Sequence, residues 1–223
     1  GILAALELAA IHEPLTLGVD TQVEPKLVDR LTDKAKRIGF GHRTVHPIRF
    51  EPMAELKSIC VCCGSRPGNG PDLATAAATL GRLVARRGIS LVYGGAKVGL
   101  MGEVANAALA AGGRVIGVIP KSLVSKEIAH DELSELYLTE SMADRKTRMV
   151  ELSDAFIALP GGFGTYDELF ETITLAQIGQ HDKPNAVLNT KGYFTPFLQL
   201  FEHTIATGFA AEVHRGLLVA EDE

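Results

Sequence analysis

From Leu56 onward, short apolar runs alternate with longer amphipathic runs, and this rhythm restricts the chain more than any other feature. Parallel neighbours in a sheet cannot be joined by a tight turn. They need a crossover of a dozen residues or more, usually a helix, so the rhythm predicts an α/β fold. The expected strands are Ser58–Cys63, Ser90–Tyr93, Arg114–Ile119, Glu135–Leu138, Ala155–Leu159 and Ala186–Leu188. Between them fall expected helices at Asp72–Arg87, Gly102–Ala111, Ser141–Leu152, Thr165–Ile178 and Tyr193–Thr207. Pro71 and Asp72 supply a start signal, while Gly88 and the Gly112-Gly113 pair supply stops. The fold class is therefore a doubly wound, Rossmann-like parallel sheet in a single domain.

Residues 1–52 do not share the rhythm: Ile2–Ile11 and Pro25–Ile38 read as two helices followed by an extended segment holding Pro47 and Pro52. The expected division is an N-terminal extension, 1–52, without an assigned role and a Rossmann-like domain, 53–223. A chain of 223 residues suits one domain with an appendage. The formal charge of −5 argues against a surface built to follow nucleic-acid phosphates, which needs clustered Lys and Arg. All three cysteines, Cys60, Cys62 and Cys63, fall within four residues, so they cannot form a framework of distant disulfides. A reducing, cytoplasmic setting is expected. The apolar stretch at Gly1–Ile11 is too short for a membrane span and contains Glu7. Cys60 and Cys62 would share a strand face, yet no second cysteine pair completes a metal site, and no metal or other cofactor is expected.

Three glycine-bearing loops follow expected strands: Gly64-Ser65-Arg66-Pro67-Gly68, Gly94-Gly95-Ala96-Lys97-Val98-Gly99-Leu100-Met101-Gly102, and Pro160-Gly161-Gly162-Phe163-Gly164-Thr165. In a doubly wound sheet all three lie at the carboxyl edge, where such folds bind ligands. Glycine lets the backbone approach an anion closely, and the N–H groups of a following helix point at it. One such loop could simply be a sharp turn. Three on one edge point to a nucleotide or sugar-phosphate pocket. The absence of a full G-x-G-x-x-G and of a Walker A pattern disfavours nicotinamide chemistry and ATP hydrolysis.

Pro160-Gly161-Gly162-Phe163-Gly164-Thr165-Tyr166-Asp167-Glu168 resembles the PGGxGTxxE signature of the Lonely Guy phosphoribohydrolases, a family once labelled lysine decarboxylases. Met142-Ala143-Asp144-Arg145-Lys146 resembles the family's second motif, and the likeness runs in order from about Ser58 to Phe209. Ala96 departs from the third consecutive glycine that many members carry, and Asp167 replaces a common Glu. The resemblance implies hydrolysis of adenosine 5'-monophosphates, plain or N6-modified, to free base and ribose 5-phosphate, a step that releases cytokinin where the base is modified. It implies a homodimer with helices near Arg145 and Glu168 at the interface.

Breaking an N-glycosidic bond builds positive charge on the sugar, so a carboxylate is needed near the anomeric carbon. The resemblance assigns that role to Glu168; from spacing alone, Asp167, Glu168 and Glu171 could equally complement a helix N-terminus. It makes Arg145 the second catalytic group, whose rigid fork of N–H donors lysine cannot reproduce. Substrate contacts are expected at Lys146, Asp167, Gly94, Gly95, Gly161, Gly162, Gly164 and Thr165. Glu127 and Thr174 match family contact positions, and Met101 and Met142 would border the base, although Thr174 and either Met could be ordinary packing residues. His130 and His181 read as structural. Two alternatives are a broad nucleotide nucleosidase and a non-enzymatic nucleotide or molybdenum-cofactor carrier of the same fold. A pure carrier gives no reason to set a carboxylate beside bound phosphate.

Overall fold

Every apolar run pairs in parallel with its neighbours, and together they form one seven-stranded sheet of order β4-β3-β2-β1-β5-β6-β7. The structure, a computed structural model, describes residues 56–124 and 129–222. The strands are β1 (Ser58–Cys62), β2 (Ser90–Tyr93), β3 (Val115–Pro120), β4 (Glu135–Thr139), β5 (Ala155–Ala158), β6 (Asn185–Leu188) and β7 (Leu218–Glu221). The helices are α1 (Pro71–Arg86), α2 (Gly99–Ala110), α3 (Lys121–Val124), α4 (Met142–Glu151), α5 (Phe163–Gln177) and α6 (Thr195–Ala206). The proposed extension, 1–52, lies outside the described residues.

Central strands read as continuous apolar runs because both faces are covered; every residue of β3 and β5 is buried. On one face Cys60, Cys62, Val92, Val118, Phe156 and Val187 pack with Met149 of α4, Leu169 and Ile173 of α5, and Phe194 and Phe197 beside and within α6. The helices α1 and α2 pack against each other and against β2. Gly81 permits their crossing: a Cβ there would sit 2.3 Å from the Val104 carbonyl oxygen. A mid-helix glycine costs about 1 kcal/mol relative to alanine, which the close helix contact offsets.

The structure departs from expectation in places. Helix α2 begins at Gly99 rather than Gly102, α6 begins at Thr195 rather than Tyr193, and β7 was not expected. β7 is a short edge strand, partly exposed along its length, so it lacks the apolar run that marks the interior strands. β4, at the opposite edge, alternates half-buried and exposed positions.

The seam between β1 and β5 joins segments far apart in sequence. Asp154 Oδ2, just before β5, accepts the backbone N–H groups of Lys57 and Ser58 at 2.9 Å each, across as many as 97 residues. Connections leave β1 toward β2 and leave β5 toward β6, so strand order reverses at this seam. The crevice of a doubly wound sheet opens at such a point.

Candidate active site

The three glycine loops meet above the β1–β5 seam. Gly64 N–H donates to the Pro160 carbonyl at 3.1 Å, and the Gly64 carbonyl accepts from Met101 N–H at 3.3 Å. Gly99, at φ 56°, lies so close to the first loop that a Cβ would stand 2.3 Å from the Ser65 carbonyl carbon. A Cβ on Gly161 would meet Thr165 Oγ1 at 2.0 Å and Gly64 N at 2.8 Å. These contacts brace the loops against one another. Gly162 and Gly164, by contrast, have open space where a side chain would stand.

Gly162 is the N-cap of α5, a fifteen-residue helix with no side-chain cap and no acidic residue in its first turn. The Phe163 and Gly164 N–H groups therefore lack an acceptor within the helix, and the helix dipole adds positive potential there. Thr165 is buried one turn in, and Phe163 is almost wholly exposed. The Tyr193 hydroxyl, following the 3-10 turn Thr190–Gly192, donates to the Gly161 carbonyl. Sequence reasoning gave Tyr193 no role beyond opening a helix.

Beside this loop sits a buried ion pair. Helix α4 starts with a reciprocal cap in which Ser141 Oγ accepts from Asp144 N–H and Asp144 Oδ2 accepts from Ser141 N–H, each at 3.1 Å. The cap fixes the turn that carries Arg145. Arg145 shares a stripe with Met149, four residues on, and both point into the sheet. Its Nη1 donates to Glu168 Oε1 at 2.6 Å and its Nε donates to the Val118 carbonyl at 3.0 Å. The two side chains are only 9% and 11% exposed, so neither charge is well hydrated and each depends on the other. The remaining guanidinium nitrogen lies over Gly94, where a Cβ would be 2.2 Å away, and Met101 Sδ would be 2.9 Å from the same atom. Gly95, at φ 76°, fits tightly against Val118 and Ile119. The space freed at Gly94 and Gly95 is thus occupied by protein.

Lys146, the next residue, pairs outward with Asp167 at 3.0 Å and with Glu171. Glu171 first, and Asp167 after it, hold the Lys146 ammonium above the ordinary lysine range.

Beneath the pair, Cys60 and Cys62 approach with their sulfurs 3.9 Å apart. They line, with Met149, Phe156, Glu168 and Thr172, a small opening with room for about one water molecule. The Cys60 contact, burial and the Glu168 charge all push the Cys62 thiol well up; burial and Glu168 do the same to Cys63. Both stay protonated and are poor nucleophiles. Among the described residues, no group of three or more His, Cys, Asp or Glu side chains could hold a metal.

The structure brings together Arg145, Glu168, Lys146, Asp167, Gly94, Gly95, Met101, Gly161, Gly162, Gly164 and Thr165. Met142 and Thr174 are exposed. Thr174 lies on the stripe of Asp167 and Glu171 but farther along α5. Glu127 lies outside the described residues. His130 bonds Asn106 at 2.8 Å and accepts from Glu132 N–H at 3.2 Å, while His181 accepts from Lys183 N–H at 3.2 Å and tilts against Phe156, so both have packing roles.

Similarity to known proteins spans most of the described region. Residues 101–223 match the family described as "Possible lysine decarboxylase". The cytokinin riboside 5'-monophosphate phosphoribohydrolase of Rhodococcoides fascians is 48% identical over 164 residues, 73% of this chain and 83% of the relative. A rice enzyme of the same description is 44% identical over 170 residues, covering 76% of this chain and 70% of the relative. Among solved structures, the molybdenum cofactor binding protein of Rippkaea orientalis superimposes with a TM-score of 0.56 at 25% identity, covering 75% of this chain and 90% of that one.

Proposed function

The chain belongs to the Lonely Guy family of cytokinin riboside 5'-monophosphate phosphoribohydrolases, and on that premise we propose that it hydrolyses the N-glycosidic bond of adenosine 5'-monophosphates, including N6-modified ones. Water is consumed, and free base and ribose 5-phosphate are released. The observation that carries this reading is the buried Arg145–Glu168 pair beside an uncapped, glycine-led helix start at the sheet's switch point.

The 5'-phosphate sits on the N–H groups opening α5, with Gly162 and Gly164 leaving room for its oxygens and Thr165 nearby. Glu168 faces the anomeric carbon, where its carboxylate stabilises the oxocarbenium-like transition state and orients the attacking water. Arg145 holds Glu168 in one geometry through Nη1 while its own Nε is fixed on the Val118 carbonyl, so little reorganisation is needed as charge develops. Lys146 offsets Asp167 and Glu171, whose charge would otherwise repel phosphate.

We also assign a homodimer, since exposed Met142 and Thr174 gain partners only if a second subunit covers them, and exposed Leu136 and Leu138 on β4 add apolar surface. Light scattering that returns a monomer with full activity would refute it. The free cysteines suit a cytoplasmic setting, and no helix among the described residues is long and apolar enough to cross a membrane. Residues 53–223 form the catalytic domain in this reading, so a chain starting at Met53 retains hydrolysis.

The direct test is chromatographic detection of base after incubation with isopentenyladenosine monophosphate, AMP or CMP. Wild type releases base, and Glu168→Gln and Arg145→Ala do not. Nucleotide binding without any release would instead favour a carrier.

A further inference from the structure

The phosphate loop contains a contact that the roles above leave unused, the hydrogen bond from the Tyr193 hydroxyl to the Gly161 carbonyl. The peptide joining Gly161 to Gly162 is planar and trans, so its carbonyl and its N–H point in opposite directions. Whatever fixes the Gly161 carbonyl also aims the Gly162 N–H. That N–H has no partner among the described residues, and the Cα beside it opens onto free space. The Gly162 carbonyl is already committed to Thr165 N–H at 3.0 Å and Tyr166 N–H at 3.3 Å. The loop is thus held by its carbonyls and presents its amides.

Tyr193 is itself well fixed. Its ring stacks on Tyr166 at 6.4 Å and meets Phe194 edge-on at 5.1 Å. Phe194 is fully buried, and its N–H donates to Asn189 Oδ1 at 2.7 Å. The turn that delivers Tyr193 contains Lys191 at φ 54°, the one non-glycine residue with positive φ among those described. Such strain persists only where surrounding structure imposes it. Tyr166 belongs to α5, so Tyr193 touches both the loop and the helix that follows it. Glycine at 161 and 162 leaves the loop backbone free to rotate, and an external tether must supply the rigidity that glycine lacks.

We propose that Tyr193 is a positioning residue for substrate phosphate: by holding the Gly161 carbonyl it orients the Gly162 N–H toward the 5'-phosphate. The inference rests on the phosphate assignment above and adds a residue outside both sequence motifs. Tyr193 does not touch the nucleotide, and its effect falls on the phosphate end rather than on the bond being broken.

Tyr193→Phe keeps both ring contacts and removes the hydroxyl that holds the Gly161 carbonyl, together with its contact to the Tyr166 hydroxyl. Calorimetric titration of wild type, Tyr193→Phe and Tyr166→Phe with ribose 5-phosphate and separately with adenine tests the proposal, alongside AMP kinetics. Loss of one such hydrogen bond corresponds to roughly a tenfold change in affinity at most. The expected result is about a tenfold weaker affinity for ribose 5-phosphate in Tyr193→Phe, unchanged adenine binding, and a KM for AMP that rises with kcat nearly constant. Tyr166→Phe, which keeps the stacked ring and loses only the hydroxyl beside Tyr193, gives a smaller shift in the same direction. Unchanged ribose 5-phosphate affinity, or equal loss for both ligands, overturns the role of Tyr193. Failure of wild type to bind ribose 5-phosphate overturns the phosphate assignment itself, and the inference with it.

Discussion

Helices α4 and α5 are joined twice by ion pairs from adjacent residues, Arg145 to Glu168 and Lys146 to Asp167 and Glu171, yet the two links differ in kind. One step along a helix rotates a side chain by about 100°. That turn places Arg145 against the sheet and Lys146 at the rim. The inner pair is nearly dry, so its attraction is weakly screened and its loss leaves an uncompensated charge. At the rim, Asp167 is 57% exposed, and water and salt screen its attraction to Lys146. The sign of a charge says little about its worth; burial sets it.

The comparison fails if the two links respond alike to substitution. The largest contrast should be catalytic. Glu168→Gln is expected to lower kcat by roughly a thousandfold or more, a magnitude typical of losing a central acid-base or electrostatic group. Asp167→Asn should cost no more than about tenfold in kcat/KM, because its carboxylate is not at the reacting bond. Equal losses would move the catalytic carboxylate to the rim.

Next in size comes stability. Arg145→Ala should destabilise by about 3–5 kcal/mol in denaturant titration by stranding Glu168. Lys146→Ala should cost about 1 kcal/mol or less. A sharper version replaces both inner partners: Arg145→Met with Glu168→Leu is expected to be more stable than Arg145→Ala, though inactive, since removing both charges removes the stranded one. A double variant as unstable as the single would show that Arg145 acts mainly through the Val118 carbonyl.

The smallest effect concerns pH. Lys146 is held above the ordinary lysine value by Glu171 and Asp167, so its contribution is complete below about pH 10 and fades as pH rises through the raised value. Wild type and Lys146→Ala should differ in stability at pH 8 and converge as pH rises past that raised value.

Much of this was legible in sequence, for identifiable reasons. Interior strands such as Val115–Pro120 announce themselves because both faces are buried, whereas Leu218–Glu221 is a partly exposed edge with no such run. The glycine loops were legible as a group, but the function of Gly94 was not. Its missing side chain makes room for Arg145, a fact that depends on how α4 lies across β3 and β4. The inward aim of Arg145 left a faint signal in its four-residue spacing from Met149. An Arg-Lys pair on a polar helix otherwise reads as solvated surface. Tyr193 left less still, since its contact with Gly161 spans 32 residues and no local pattern encodes it.

The seam between β1 and β5 carries a consequence for biosynthesis. The first strand among the described residues becomes the centre of the sheet, and the edge that will meet Ala155–Ala158 waits for nearly a hundred residues of synthesis. The sheet is in effect two halves closed like a clasp, with Arg145 on one half and Glu168 on the other. Fragments 53–153 and 154–223, each inactive alone, are therefore expected to recover hydrolysis when co-expressed. Activity would then report directly on closure of the clasp, and its absence in a soluble, associated pair would show that closure requires an unbroken chain.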